Sequence, residues 1–210
     1  MIIRTMAALS VSVVCLAGAA SAATVVNGSF EDVSGLAGGG LNRGSFGVYD
    51  TIPGWTKGSG SGIELQDNGT LTTHDAQDGN WYVELDSDDN SSMYQDITFA
   101  VAGIYRLSFY YAPRTTTPTD NGIDYSLGGL ISGSIDGVFP AGWQEVATNF
   151  SVNAGDVLRL TFAATGINNS LGGFVDNVTI APVPLPASAL LLGGAMAGIG
   201  FAGRRRRNRA

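Results

Sequence analysis

The chain is poor in the residues on which most catalytic and scaffolding chemistry depends. Cysteine occurs once, as Cys15, inside an apolar N-terminal segment, so a disulfide framework is excluded. Histidine also occurs once, as His74, in the polar stretch Thr72-Thr73-His74-Asp75. There is no His-Glu-x-x-His pair for a zinc hydrolase and no glycine-rich phosphate loop ending in lysine. The serines of Gly58-Ser59-Gly60-Ser61-Gly62 are misplaced for a nucleophile elbow. Basic residues are scarce where they would matter for nucleic acid. Of 11 Lys and Arg, six lie at the ends (Arg4, Arg204, Arg205, Arg206, Arg207 and Arg209). All 18 Asp and Glu lie between them, so five basic residues against 18 acidic ones give the body a formal net charge of −13. Such a body repels phosphate backbones, and nucleic-acid binding is excluded as a leading function.

The two ends differ from the body. Residues 1–23 combine Arg4, an apolar run and Ala20-Ser21-Ala22, the pattern of a secretory signal peptide cleaved after Ala22 or Ala23. At the other end, Pro182, Pro184 and Pro186 precede an uncharged run over 187–203, and then Arg204-Arg205-Arg206-Arg207. Seventeen apolar or small residues are at the lower limit for spanning a bilayer, and the arginines would hold that end on the cytoplasmic side. Val183-Pro184-Leu185-Pro186-Ala187, the hydrophobic segment and the terminal arginines together resemble the PEP-CTERM sorting signal in its Val-Pro-Leu-Pro-Ala (VPLPA-CTERM) variant. That resemblance implies a Gram-negative bacterium, with the secretion machinery and an exosortase as partners. It also implies transient residence in the inner membrane, then delivery to the cell surface or extracellular matrix. The expected organisation is a signal peptide over 1–23, one domain over 24–181 and a sorting signal over 182–210.

Within that domain, no stretch sustains a helical period, while alternation of period two recurs. Trp81, Val83 and Leu85 alternate with Tyr82, Glu84 and Asp86; Met93, Gln95, Ile97 and Phe99 alternate with Tyr94, Asp96 and Thr98. Comparable patterns cover 105–111, 146–152 and 158–162, and further strands are predicted over 24–30, 62–66, 121–127, 129–135 and 173–180. The glycine-rich stretch 35–47 reads as a long surface loop. About ten short strands, each with one apolar face, predict an all-β, antiparallel β-sandwich.

The order of the motifs carries a second resemblance. Asn27-Gly28-Ser29-Phe30-Glu31, Ile52-Pro53-Gly54-Trp55, Ile63-Glu64-Leu65, Asp78 to Leu85, Tyr105 to Phe109 and Gly172 to Val178 together resemble the galactose-binding-like jelly roll of many carbohydrate-binding modules. The resemblance implies non-catalytic binding of carbohydrate, such as an exopolysaccharide or biofilm matrix. Trp55 and Trp143, which follow glycines, and Tyr110 and Tyr125, which lie near polar side chains, are the candidate stacking residues. It also implies a structural Ca²⁺ held by one acid near the first strand and one near the last, here Glu31 and Asp176. Asp86-Ser87-Asp88-Asp89-Asn90 echoes the start of a calcium loop. It departs from one at Ser91 and Ile97 and reads as an acidic hairpin turn. No residue is assigned a catalytic role. Two other functions stay open: a structural or adhesive matrix protein, and a glycan-processing enzyme with facing carboxylates about 5–10 Å apart.

Overall fold

A computed structural model describes residues 23–37, 44–71, 74–137 and 142–184. The expected signal peptide apart from Ala23, and the expected sorting signal beyond Pro184, lie outside the described residues; so do Ala22, Leu185, Pro186 and Arg204 to Arg207. Among the described residues, twelve strands form two six-stranded antiparallel sheets packed face to face in jelly-roll order. The first sheet runs β1 (Phe46–Tyr49), β4 (Ile63–Asp67), β5 (Trp81–Glu84), β12 (Gly173–Pro182), β7 (Gly103–Pro113) and β10 (Gln144–Val152). The second runs β2 (Thr51–Ile52), β3 (Trp55–Ser59), β6 (Ser92–Phe99), β11 (Asp156–Ala164), β8 (Ile123–Leu127) and β9 (Ile131–Ile135).

Alternation decides what lies between the sheets. Val83, Leu107, Phe109 and Val175 from the first sheet meet Met93, Ile97, Leu160 and Phe162 from the second, all buried in one cluster. Aromatic rings fill its middle: Phe109 stands edge-on to Phe162 at 4.9 Å, and Trp55 lies 6.0 Å from Phe162. A second group, Phe99, Tyr105 and Phe150, fills one end.

The structure corrects the sequence reading near the N-terminus. Residues 24–30 form a turn rather than a strand, with Asn27 (φ 52°) and Phe30 (φ 60°) in the left-handed region. This turn drives Phe30, fully buried, between the sheets against Trp55 at 5.8 Å. The predicted loop over 35–47 runs into a strand, β1, and two short strands follow. Gly54, at φ 85°, closes the β2–β3 hairpin in a conformation that L-residues with a side chain rarely adopt.

Candidate functional site

The outer face of the first sheet is largely covered. Register places Glu64 opposite Glu84, Gln66 opposite Tyr82, Phe174 opposite both Glu84 and Ala112, and Asp176 opposite Tyr110. These side chains therefore share the face turned away from the core. Tyr82, Phe174 and Ala112 nevertheless have no exposure, because Leu71 and Ala76 from the preceding connection and Trp143 from the start of β10 pack over them. His74 stands edge-on to Phe174 at 5.2 Å, and burial lowers its pKa.

Beside these rings lies a buried polar network. Arg114 Nη1 donates to both Glu84 oxygens at 2.6 Å and to the Ser170 carbonyl at 2.9 Å. Gln66 Nε2 donates to Glu64 Oε1 at 2.8 Å and also to Glu84, while the Tyr82 hydroxyl donates to Gln66 Oε1 at 2.9 Å. The Gly172 amide donates to Glu84 Oε1 at 2.7 Å. Desolvation pushes Glu84 up to about 8 against the pull of Arg114, and raises Glu64 as well. Glu64 and Glu84 are carboxylates on neighbouring strands, not a pair facing each other across an open cleft. Here they are closed to substrate, since Glu64 is 5% and Glu84 0% exposed and both are engaged with neighbouring side chains.

The outer face of the second sheet is open. Register aligns Asp124 with Ser134 and Ala163, and Ser126 with Ser132 and Thr161. These small side chains floor a trough of about 290 Å³ across β8, β9 and β11. Next to Thr161 on β6 stands Tyr94, with the Arg159 guanidinium 3.8 Å from its ring centroid. Asp96 fixes that guanidinium through bonds of 2.8 and 2.9 Å from Nε and Nη2. A second cavity of about 360 Å³ opens at one end of the sandwich between Pro118, Thr119, Gly122, Asp136, Thr165, Gly166 and Ile167.

The expected site residues are dispersed. Trp55 is not a surface contact but core: it is 1% exposed and its Nε1 donates to the Asn27 carbonyl at 3.1 Å. Tyr125 turns inward, edge-on to Phe109 at 5.0 Å and over Gly133 at the sandwich rim, and both it and Gly133 also border the trough. Trp143 is half-buried, edge-on to Tyr82 at 5.9 Å, with Nε1 donating to the Asp75 carbonyl at 2.9 Å. Tyr110 is half-buried on the first sheet's outer face, opposite Glu145. The trough residues and Tyr94 were legible only as outward positions of alternating strands.

Glu31 and Asp176 act on the same connection. Glu31 Oε1 accepts the amides of Asn80 (2.7 Å) and Trp81 (2.8 Å). Asp176 Oδ2 accepts those of Gln77 (2.8 Å) and Asp78 (3.0 Å), and its Oδ1 that of Asn177 (2.6 Å). Burial pushes Asp176 up to about 7 against these donors. Gly79, at φ 76°, lies so close to the Glu31 carboxylate that a β-carbon would clash. Through these N–H donors the two carboxylates form a clamp on residues 77–81. Among the described residues, no three His, Cys, Asp or Glu converge to hold a metal ion.

No family model matches the chain. It is similar to two proteins called multifunctional-autoprocessing repeats-in-toxin. Identity is 32% over 131 residues in Vibrio vulnificus, 55% of this chain, and 32% over 122 residues in Vibrio cholerae serotype O1, 58% of this chain. The chain spans about 2% of the length of each. Among solved structures it is similar to a family 61 carbohydrate-binding module in complex with β-1,4-galactotriose, at 17% identity and TM-score 0.46, covering 61% of this chain and 88% of that one. A family 4 module aligns at 16% identity and TM-score 0.44, covering 76% and 99%. A family 35 module from Clostridium thermocellum aligns at 17% identity and TM-score 0.37, covering 77% and 100%.

Proposed function

We propose that the chain is an exported, non-catalytic carbohydrate-binding protein of the cell surface or extracellular matrix, and that it binds glycan on the outer face of its second sheet. The observation that carries this reading is the open trough beside Tyr94. Asp124, Ser126, Ser132, Ser134 and Thr161 offer hydroxyls and a carboxylate to sugar hydroxyls, and beside the trough Tyr94, one ring face of which carries the Arg159 guanidinium, adds its remaining ring surface for a C–H face. A volume of about 290 Å³ suits a short stretch of glycan. The body charge of −13 disfavours anionic polysaccharides, so the ligand class is neutral glycan. Export rests on the sequence: a signal peptide over 1–23, and a sorting signal over 182–210 handled by an exosortase at the inner membrane. Calcium bound by Glu31 and Asp176 is no part of this reading, because their oxygens accept N–H donors.

A glycan array carrying neutral and uronic-acid glycans, probed with the full chain in mild detergent, tests it. Retention on neutral glycans is expected. Ser132→Trp, which fills the trough, and Tyr94→Ala should each cut affinity about tenfold or more, whereas Tyr110→Ala on the other face should not. Retention unaffected by Ser132→Trp, or no retention at all, would overturn the reading. The second outcome would favour a structural matrix protein without a discrete ligand.

A further inference from the structure

The end of the sandwich at which β12 leaves is built from uncharged connections. The Val183 amide donates to the Ile104 carbonyl at 2.8 Å, so the chain exits beside the start of β7. The β6–β7 hairpin and the β10–β11 turn lie at this same end, because Phe99 opposes Asp156 and Gly103 opposes Val152. So does the β8–β9 hairpin, whose Gly128 amide donates to the Arg159 carbonyl at 2.9 Å. Residues 100–104 (Ala-Val-Ala-Gly-Ile), 128–130 (Gly-Gly-Leu) and 153–155 (Asn-Ala-Gly) carry no charge. Next to them, Asp156 Oδ2 accepts the Asn153 amide at 2.8 Å, and Arg159 is paired with Asp96. Four of the eight large apolar side chains exposed among the described residues stand here: Val101, Ile104, Leu130 and, at 61%, Val157. The opposite end is acidic, with Asp86, Asp88 and Asp89 between β5 and β6, Asp120 between β7 and β8, and Asp136 after β9. Single apolar side chains scattered over a surface are ordinary; gathered on uncharged connections at one end of a body of net charge −13, they mark a surface for a partner.

The path of the chain beyond this end identifies the partner. The described residues end at Pro184, and the uncharged run over 187–203 starts three residues on. Even fully extended, three residues span about 10 Å. The headgroup layer on one side of a bilayer is about 5–8 Å deep, so so short a tether cannot lift this end clear of a membrane. We propose that this end of the sandwich rests on a lipid bilayer, with Val101, Ile104, Leu130 and Val157 entering its interfacial layer while the 187–203 segment is inserted. The proposal rests on the reading of that segment as membrane-inserted. Anionic headgroups repel an acidic body, so its uncharged connections are the part that can approach them. Thr161, the first trough residue on β11, lies four residues beyond Val157, about 13 Å along the strand, so the trough stays open to glycan.

The test places single cysteines in a Cys15→Ser background of the full chain and labels each with a fluorophore. The protein is reconstituted in phosphatidylcholine vesicles with or without nitroxide-bearing lipid. With a nitroxide near the headgroups, labels at Val101→Cys, Ile104→Cys, Leu130→Cys and Val157→Cys should lose emission, and a label at Asp88→Cys, on the opposite end, should keep it. With a nitroxide deep in the acyl chains, Leu192→Cys reports whether the 187–203 segment is inserted. Quenching at Leu192→Cys without quenching at the four end positions would overturn the proposal and leave the tail reading standing. No quenching at Leu192→Cys would overturn both. Adding Ile104→Asp and Val157→Asp, both at exposed positions that the fold tolerates, should abolish quenching at Val101→Cys while Leu192→Cys stays quenched; quenching that survives at Val101→Cys would count against the apolar contact and overturn the proposal. End labels shielded already in detergent, with the mass of a dimer by light scattering, would make this end a contact between two copies and overturn it as well.

Discussion

The pairing of Arg114 with Glu84 offers the sharpest test of how the covered face is built. Arg114 is 23% exposed and Glu84 0%, with one guanidinium nitrogen 2.6 Å from both carboxylate oxygens. Arg114→Leu removes the charge and leaves Glu84 with the Gln66 and Gly172 donors and with Glu64 close by. Breaking a buried pair by deleting one partner costs about 3–5 kcal/mol, because the remaining charge stays desolvated. That figure applies where Glu84 is ionised. Burial pushes Glu84 up to about 8 with Arg114 in place, and losing Arg114 raises it further, so the cost grows toward this figure as pH rises past 8. At pH 6 a protonated Glu84 loses only hydrogen bonds, worth about 1–2 kcal/mol. A domain of this size moves about 2–4 °C per kcal/mol, so Tm should fall by up to about 20 °C at pH 9 and by much less at pH 6.

The assay is thermal unfolding followed by near-ultraviolet circular dichroism, with EDTA present, at both pH values. It should include Glu84→Leu and the double variant Arg114→Leu/Glu84→Leu. Replacing both partners by apolar groups removes the stranded charge, so the double variant should recover most of the loss at pH 9. A loss below about 1 kcal/mol at pH 9, an equal loss at both pH values, or a double variant no better than Arg114→Leu would refute the reasoning.

Three further outcomes follow from the same geometry. Glu84 and Asp176 both have raised pKa values when folded, about 8 and about 7, so between the ordinary carboxylate range and those values the folded chain holds more protons than the unfolded one. Stability in EDTA should therefore fall as pH rises from about 5 to 8, by at most about 1.4 kcal/mol per pH unit per group, and Glu84→Gln should flatten the curve; a flat parent profile in a melting series contradicts this. Trp55→Ala should cost about 3–5 kcal/mol in chemical denaturation, whereas Tyr94→Ala, on the open face, should cost about 1 kcal/mol or less. Gly79→Ala, which forces a side chain to φ 76° and into the Glu31 carboxylate, should cost about 2 kcal/mol or more and speed hydrogen exchange at 77–81; unchanged exchange there would argue against the clamp.

The strands most legible in the sequence were those whose alternation is unbroken. Trp81 to Leu85, Met93 to Phe99 and Tyr105 to Tyr111 each show one apolar face, and each is a strand at nearly the predicted bounds. The N-terminal turn escaped because Val25, Val26 and Phe30 look like strand residues. The left-handed geometry at Asn27 and Phe30 lies in the backbone and leaves no apolar pattern. Trp55 was misread for a related reason. A tryptophan after glycine suggests a loop tip, yet Gly54 closes a hairpin that turns the next side chain inward. Alternation also identifies outward residues without saying whether anything covers them. Tyr82 and Glu84 point away from the core as plainly as Tyr94 and Asp96 do. Leu71, Ala76 and Trp143 cover Tyr82, and Arg114 and Gly172 close over Glu84, none of which the alternation of these strands announces.

That difference in covering gives the two outer faces different roles. On the first sheet, large rings and two carboxylates lie under a connection held by Glu31 and Asp176, so the side chains with most chemical potential are used in packing and hydrogen bonding. An acid or base catalyst must reach a substrate proton, and Glu84 cannot while Arg114, Gln66 and Gly172 occupy its oxygens. On the second sheet, serines, Thr161, Ala163 and Gly133 keep the surface low across three strands, and no connection crosses them among the described residues. Small side chains contribute little to stability there, and what they leave is room. A rigid strip of hydroxyls with a ring fixed beside it can recognise a ligand at little entropic cost, because strands hold both in place before binding. The covered face therefore stabilises the sandwich, and the bare one carries the proposed glycan site.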